Sequence, residues 1–219
     1  MLTVLADFRT EQLGESALVI DAGPDAASLS AHLESLELSG VVDVVPAFDK
    51  VAVYFDSVEA DTGQFRQILA DFVPTVSRLG KHHVVPVCYV QGEDLGQVLA
   101  ELSLSFEELV ALHSGRTYDC KAIGFCPGFP YLGWLDDKIS GLGRLESPRL
   151  RVAPGSVAIV GRMTGVYPLL RPGGWRLVGR TPLTLVDPDD SYFPIKVGDS
   201  VEFRPINEAD FGALVGERL

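Results

Sequence analysis

The sequence predicts an α+β protein in which a small α/β N-terminal domain, residues 1–80, precedes a strand-rich domain, residues 81–219. In the first part, short apolar runs alternate with segments that have helical spacing. In the second, strand patterns dominate and turns rich in Gly and Pro separate them at roughly regular intervals. A polar stretch at Arg78–His83 marks the predicted boundary between the two.

The N-terminal part has the predicted order β-β-α-β-β-α. Its strands are Leu2–Phe8, Ser16–Asp21, Val41–Ala47 and Lys50–Phe55. Leu29, Leu33 and Leu36 follow helical spacing, with Asp25 as a predicted N-cap, and a second helix around Phe65 and Leu69 ends near Pro74. This order predicts a small antiparallel sheet with helices on one face.

The second part opens with a strand, Val84–Val90, and two helices. Asp94–Leu102 is the first helix, and Ser105-Phe106-Glu107-Glu108 is a capping box that starts a second helix ending at His113. Later strands are predicted at Thr117–Phe125, Ser156–Val160, Gly165–Leu169, Trp175–Val178, Thr184–Val186 and Ser200–Phe203. Such a run of short strands predicts a closed or folded-over β structure.

The net charge of −12 and pI near 4.7 argue against a nucleic-acid-binding protein. They also disfavour binding to an anionic membrane surface. Within this acidic chain, however, seven arginines fall in a short stretch: Arg144, Arg149, Arg151, Arg162, Arg171, Arg176 and Arg180. That local excess favours an anionic ligand or an acidic partner.

We expect a cytoplasmic protein. The N-terminus lacks the basic and apolar regions of a signal peptide, and no apolar run has the length of a membrane span. The three cysteines, Cys88, Cys120 and Cys126, are odd in number and lack C-x-x-C spacing. This pattern fits reduced thiols and indicates neither a disulfide framework nor a zinc site.

The densest run of Gly, Pro, aromatic and Arg residues extends from Gly124 to Pro182. It contains Gly124–Gly133, Pro148–Gly161, Thr164–Pro168 and Pro172–Pro182. Because Gly admits a close approach to the backbone and Pro fixes it, this composition predicts ordered loops that carry a site.

Within that run, several residues are candidates for anion binding. Gly173-Gly174 is either a tight turn or a backbone amide concavity for an anion. Arg180 is either solvated or a bidentate partner of carboxylate or phosphate. Arg149 and Arg151 alternate and so share one face of an extended segment, which is either a solvated edge or a binding face.

The aromatic residues and the polar pair His113 and Ser114 also have two interpretations. His113 at a helix end is either a protonated C-terminal cap or a catalytic imidazole, and Ser114 acts as a nucleophile only with a base beside it. The aromatics are core residues or a partner surface: Phe125, Phe129, Tyr131, Tyr167 and Trp175.

Several familiar motifs are missing from the sequence. There is no G-x-x-x-x-G-K-[ST] or G-x-G-x-x-G nucleotide loop, no H-E-x-x-H, no acidic metal cluster and no A-M-K-M biotin-attachment segment. If ATP is used, an unconventional site or one shared with a partner subunit holds it, and no metal is expected.

From Val84 onward the chain resembles the family that contains the B subunit of 5-oxoprolinase, the Kip inhibitor of a sporulation histidine kinase, and allophanate hydrolase subunit 1. The resemblance rests on motifs similar to G-F-x-P-G-F-x-Y-L-G, P-R-x-x-V-P-x-G-S-V-x-I-x-G, T-G-x-Y-P and P-G-G-W-x-x-x-G-R-T-P, in that order. It implies a cyclophilin-like β-barrel after the N-terminal domain. Met163 departs from the pattern, standing where a Gln is usual, which bears on the substrate more than on the fold.

The resemblance implies a subunit of an ATP-dependent complex that cleaves 5-oxoproline to glutamate, by phosphorylating the amide and hydrolysing it. Its partners would be a related subunit of the C type and a lactam-hydrolase subunit of the A type, with the site at their interface. Gly155, Ser156 and Thr181, which lie in the matching motifs, join Arg149, Gly173, Gly174 and Arg180 as candidate substrate or anion ligands. The alternatives are an inhibitor that binds a histidine kinase, or an allophanate hydrolase or urea carboxyl-transfer subunit.

Overall fold

A computed structural model describes residues 2–5, 8–56, 62–73 and 80–219, and for residues 2–5, 62–64 and 66 the backbone alone. The chain divides into two compact units, Met1–Leu79 and Gly80–Leu219. The predicted helix end near Pro74 and the start of the predicted boundary at Arg78 lie outside the described residues.

The first unit contains an antiparallel sheet with two helices. Its strands are β1 Leu2–Leu5, β2 Phe8–Leu13, β3 Ala17–Asp21, β4 Val41–Ala47 and β5 Lys50–Phe55, and its helices are α1 Ala26–Ser35 and α2 Thr62–Asp71. The strand order is β1-β2-β3-β5-β4. Ile20, Val51 and Val53 of the sheet pack with Leu29 and Leu69 of the helices, so the apolar faces of both element types form one core.

One N-terminal prediction is wrong, since Leu2–Phe8 is not a single strand. β1 ends at Leu5, and β2 starts at Phe8 and runs back along it, with Leu5 opposite Phe8. The sequence pattern missed β2 because its residues are mostly polar and four of the six are exposed. Asp25 stands at the N-cap of α1, but its side chain makes no capping hydrogen bond.

The second unit is rich in short strands. They are β6 His82–Val87, β7 Thr117–Ile123, β8 Pro130–Gly133, β9 Arg149–Val152, β10 Ser156–Val160, β11 Met163–Val166, β12 Arg171–Gly173, β13 Arg176–Arg180 and β14 Ser200–Pro205. Its helices are α3 Leu95–Leu102, α4 Phe106–Ser114 and α5 Glu208–Leu214. The predicted capping box at Ser105 is confirmed, with Glu108 N–H donating to Ser105 Oγ at 3.1 Å.

Seven of these strands close into a barrel. The order is β6-β14-β7-β8-β11-β10-β13, with only the β6–β14 pair parallel. Cys88, directly after β6, exchanges backbone hydrogen bonds of 2.8 and 3.1 Å with Arg180 at the end of β13. Because this bridge joins the first and last strands of the barrel, the sheet has no free lateral edge there. The mixture of helices and mainly antiparallel strands confirms the predicted α+β class.

Several strand predictions in this unit need correction. The strand predicted at Gly165–Leu169 is Met163–Val166, and Thr184–Val186 forms no strand but a single bridge from Thr184 to Arg218. The sequence analysis missed β8, β9, β12 and α5. The three strands span only three or four residues each, two of them contain Pro and Gly, and periodicity carries little information at that length.

A second apolar cluster in this unit packs beneath the motif loops. It contains Phe129, Tyr167, Trp175, Leu177 and Val152, all buried. No helix within the described ranges is both long and apolar enough to cross a membrane.

Candidate functional site

The motif loops of the second unit enclose a small cavity of 230 Å³. We call it the aromatic cavity, and it is lined by Phe125, Phe129, Tyr131, Arg144, Pro148, Tyr167, Pro172, Gly173, Gly174 and Trp175. All five predicted partner-surface aromatics and the Gly173-Gly174 pair are therefore brought together, from segments up to fifty residues apart in sequence.

A tight turn between β7 and β8 places Phe125 at the mouth of this cavity. Cys126 N–H donates to Gly124 O at 2.7 Å, and Phe129 N–H donates to Cys126 O at 3.1 Å. Phe125 has φ of 64°, a left-handed conformation that costs a non-glycine residue about 1–2 kcal/mol. In spite of that cost, the turn keeps Phe125 56% exposed. Residues with strained backbone conformations are common at binding sites.

The walls of the aromatic cavity are rigid because the rings brace one another. Phe129 is the hub: its ring centroid lies 5.4, 5.2 and 5.4 Å from those of Phe125, Tyr167 and Trp175, each in an edge-to-face arrangement. Phe129, Tyr167 and Trp175 are each at most 5% exposed. Of the five aromatic residues predicted to form a partner surface, only Phe125 and the half-buried Tyr131 are accessible to a partner. The three buried rings support them from below.

Close packing at the cavity wall requires Gly173 to be a glycine, whereas a Cβ on Gly174 would make only an ordinary contact. A Cβ on Gly173 would overlap the hydroxyl of Tyr167, and one on Gly174 would lie 3.6 Å from Pro148. This overlap gives Gly173 a packing role in the wall, and the tight turn and the anion-binding nest at Gly173-Gly174 both stay predictions.

Arg144 brings a positive charge to the aromatic cavity. No described carboxylate lies within 4.0 Å of its guanidinium, and none of the other described groups is its hydrogen-bond partner. Burial raises the pKa of Tyr131 and of Tyr167, and the charge of Arg144 opposes that rise at both hydroxyls. The sequence alone presents Arg144 only as one of a cluster of arginines, and its lack of an acidic partner is visible only in the fold.

The positive charge of Arg149, by contrast, is compensated by two carboxylates. Its Nη2 donates to Asp94 Oδ1 at 2.5 Å, and its Nε lies 3.3 Å from Glu93 Oε2. Asp94 is 3% exposed and also accepts a hydrogen bond of 2.8 Å from Leu177 N–H. Arg149 therefore links β9 to the start of α3 and to β13, although its Nη1 is buried without a hydrogen-bond partner.

A second depression of 550 Å³, which we call the Arg180 groove, lies between the barrel and α5. Its lining is mostly aliphatic and proline side chains, with Phe211 from α5, Thr181, and Arg180 as its charged residue. The Arg180 guanidinium lies 6.0 Å from the Phe211 ring centroid, and Nε makes a long 3.4 Å hydrogen bond to Pro154 O. Its assignment to an anion stays a prediction.

Gly155 and Ser156 support the Arg180 groove from within. A Cβ on Gly155 would overlap the carbonyl oxygen of Thr181, whose own N–H donates to Gly155 O at 2.8 Å. Ser156 is 4% exposed and donates to Ala153 O at 2.8 Å. The predicted anion ligands thus fall into two groups, with Gly173 and Gly174 at the aromatic cavity and Arg180 and Thr181 at the groove.

His113 lies in the core of the second unit, 1% exposed. Its Nδ1 is 2.7 Å from the Tyr89 hydroxyl and its Nε2 is 2.9 Å from Thr164 Oγ1, and its ring stacks on Phe203 at 4.7 Å. Burial lowers the pKa of His113 to about 3, so the ring is neutral at physiological pH. The interpretation as a protonated helix cap is wrong, and a catalytic role stays a prediction that this enclosed position does little to support.

Within the described part of the chain, no group of His, Cys, Asp and Glu side chains could hold a metal ion. Ser114 Oγ is hydrogen-bonded to Val110 O at 2.7 Å. The arrangement is therefore best suited to binding. Arg144 at the aromatic cavity and Arg180 at the larger apolar groove both lack a carboxylate within 4.0 Å among the residues that the structure describes.

Comparison with known proteins shows close relatives over almost the whole chain. The protein of Bacillus subtilis (strain 168) that is named as the B subunit of 5-oxoprolinase is 33% identical, over 96% of this chain and 98% of that protein. The protein of the same name from Escherichia coli O157:H7 is 36% identical, over 90% of this chain and 95% of that protein.

Solved structures share the fold. The crystal structure of TTHA0988 matches with a TM-score of 0.78 and 32% identity over 87% of this chain, which spans 40% of that longer chain. The urea amidolyase of K. lactis matches 95% of this chain with a TM-score of 0.70, but at 16% identity it supports the fold alone. Residues 8–194 match the family described as carboxyltransferase domain, subdomain C and D, and with the close relatives above this match shows that the chain belongs to that family and to its branch of 5-oxoprolinase B subunits.

Proposed function

We propose that this chain is the B subunit of an ATP-dependent enzyme complex that opens 5-oxoproline to glutamate. The observation that carries the proposal is the nearly end-to-end match to proteins named as B subunits of 5-oxoprolinase. A subunit name implies other subunits. The partners we propose are a related subunit of the C type and a lactam-hydrolase subunit of the A type.

The geometry supports a binding role for this chain within the complex. Arg144, which has no carboxylate partner among the described residues, offers a positive charge beside rigid aromatic walls. Phe125 presents a half-exposed side chain at the same opening. A partner that covers Phe125 would also close the cavity and exclude water, which strengthens any ion pair inside it. We therefore place a composite site at the interface with the second subunit.

We propose that neither cavity of this chain binds ATP on its own. A triphosphate carries several negative charges, whereas the aromatic cavity contributes Arg144 and the Arg180 groove contributes Arg180, and both are otherwise lined by largely apolar or aromatic residues. We propose that a partner subunit supplies the remaining phosphate ligands. The match to the urea amidolyase is too distant to favour a urea-metabolising role.

We also propose that the complex works in the cytoplasm. Cys88, Cys120 and Cys126 are all unpaired and buried. Free thiols of this kind are typical of proteins kept in a reducing compartment.

A complementation experiment tests the proposed function. A bacterial strain that lacks its own B-type subunit, but retains the A-type and C-type subunits, is supplied with this chain and grown on 5-oxoproline as its sole nitrogen source. Restored growth supports the proposal. Absence of growth, when the chain is expressed and co-purifies with both other subunits, contradicts it.

A further inference from the structure

We propose that the aromatic cavity binds the 5-oxoproline ring and that the Arg144 guanidinium binds the substrate carboxylate. This inference rests on the proposed function and assigns the substrate to one place in the chain. More generally, it predicts a site for a small ring that carries one carboxylate.

The first argument is size. A volume of 230 Å³ equals that of roughly seven or eight water molecules in the liquid. It lies below the range of about 300–1,000 Å³ that is common for drug-sized ligands. A single five-membered ring with a carboxylate fits this space, whereas a nucleotide does not.

The second argument is charge. Arg149 and Arg176 of the same unit are paired with acids, to Asp94 at 2.5 Å and to Glu101 at 3.2 Å. Arg144 has no such partner among the described residues, although the chain as a whole is strongly acidic. A guanidinium left uncompensated at the mouth of a cavity is suited to bidentate binding of a carboxylate.

The third argument is the chemistry of the walls. Tyr131, Tyr167 and Trp175 present ring surfaces to the cavity, and edge-to-face contacts with Phe129 fix their orientation. A flat, weakly polar ring packs on such surfaces. The low polarity of the walls also strengthens an ion pair between Arg144 and a carboxylate. The cavity therefore complements both the ring and the carboxylate of 5-oxoproline.

The Arg180 groove is a poorer match for this substrate. It is more than twice as large, at 550 Å³, and its lining is mainly aliphatic and proline side chains from the barrel and α5. A small ring bound there would leave much of the groove filled with solvent.

The test uses the assembled complex. With Arg144→Gln in this subunit, the KM for 5-oxoproline should rise at least tenfold while the KM for ATP changes less than twofold, and Arg144→Lys should restore part of the loss. Arg204→Gln is the control, since the Arg204 side chain is 62% exposed and outside both cavities. An unchanged KM for 5-oxoproline in Arg144→Gln, with the complex intact, would overturn the inference.

A binding measurement separates this inference from the proposed function. If the wild-type complex does not turn over 5-oxoproline, the proposed function fails. Calorimetric titration of the assembled complex with 5-oxoproline and with cyclopentanecarboxylate then tests the binding site by itself. Binding that Arg144→Gln weakens at least tenfold supports a site for small ring carboxylates. No binding of either compound to the wild-type complex overturns it.

Discussion

At the scale of single residues, burial rather than position in the sequence determines what His113 does. The C-terminus of a helix favours a protonated histidine in its last turn. In this fold, however, Tyr89, Thr164 and Phe203 surround the His113 ring. The buried ring is neutral and acts as a hydrogen-bonded part of the core. The consequence is a dependence of stability on pH.

We predict that the second unit loses stability as the pH falls from about 6.5 towards 3. In the unfolded chain His113 gains a proton near pH 6.5, whereas in the folded chain its pKa is about 3. The unfolded state therefore binds more protons in this window, and each pH unit costs up to about 1.4 kcal/mol. Urea unfolding monitored by the fluorescence of Trp134 and Trp175 at pH 7 and pH 5 measures the loss.

The matched variants for this measurement are His113→Gln and His82→Gln. The glutamine at 113 can still bond to Tyr89 and Thr164 but has no proton to gain, so its pH dependence should be much weaker than in the wild type. His82, whose side chain is 47% exposed, serves as the control and should keep most of the wild-type dependence. Equal pH dependence in His113→Gln and the wild type would contradict the account.

At the scale of elements, Asp94 ties three parts of the second unit together. It stands at the start of α3, accepts from Leu177 N–H in β13 and pairs with Arg149 in β9. The sequence placed it at a helix start, but its side chain makes no capping hydrogen bond. Its role depends on contacts with residues 55 and 83 positions away, which local patterns do not contain.

We predict that Asp94→Ala lowers the free energy of unfolding by about 2–4 kcal/mol, because it leaves the buried Leu177 N–H without its acceptor and a largely buried guanidinium with only the exposed Glu93. Glu93→Ala removes the outer partner of Arg149, which is 59% exposed, and should cost less than about 1 kcal/mol. Urea unfolding of both variants by tryptophan fluorescence provides the comparison. Equal stabilities for the two would show that Asp94 does not have this role.

The elements also show what the sequence could predict. β4, β5 and β10 have five to seven mostly apolar residues each, and the predicted bounds of all three match the structure. β8, β9 and β12 are too short to show a period, and long-range pairing defines them. Apart from Arg144, the residues that line the aromatic cavity lie in the motifs that the sequence analysis singles out. The separation of the motif residues into the aromatic cavity and the Arg180 groove depends on how the barrel closes, as does the lack of an acidic partner for Arg144 among the described residues.

At the scale of the whole molecule, the proposed complex requires a docking face. Phe125 is the candidate, since it is held 56% exposed at the mouth of the aromatic cavity. Exposed aromatic side chains beside a rigid supporting layer are typical anchors of protein interfaces.

We predict that Phe125→Ala weakens association with the C-type subunit at least tenfold while the melting temperature stays close to that of the wild type. Leu13→Ala is the matched control, because Leu13 is 57% exposed but lies in the first unit. Titration calorimetry with the purified partner measures both affinities. A Phe125→Ala affinity equal to that of the control would remove this face from the interface.

The central claim is that this chain is a necessary subunit of a 5-oxoprolinase, and an omission assay tests it most directly. The chain, a C-type subunit and an A-type subunit are mixed with ATP and 5-oxoproline, and glutamate is measured with each protein left out in turn. We predict ATP-dependent glutamate formation by the complete mixture and little or none by this chain alone or by the mixture without it. An equal rate when this chain is omitted, or no glutamate from the complete and correctly assembled complex, would contradict the claim.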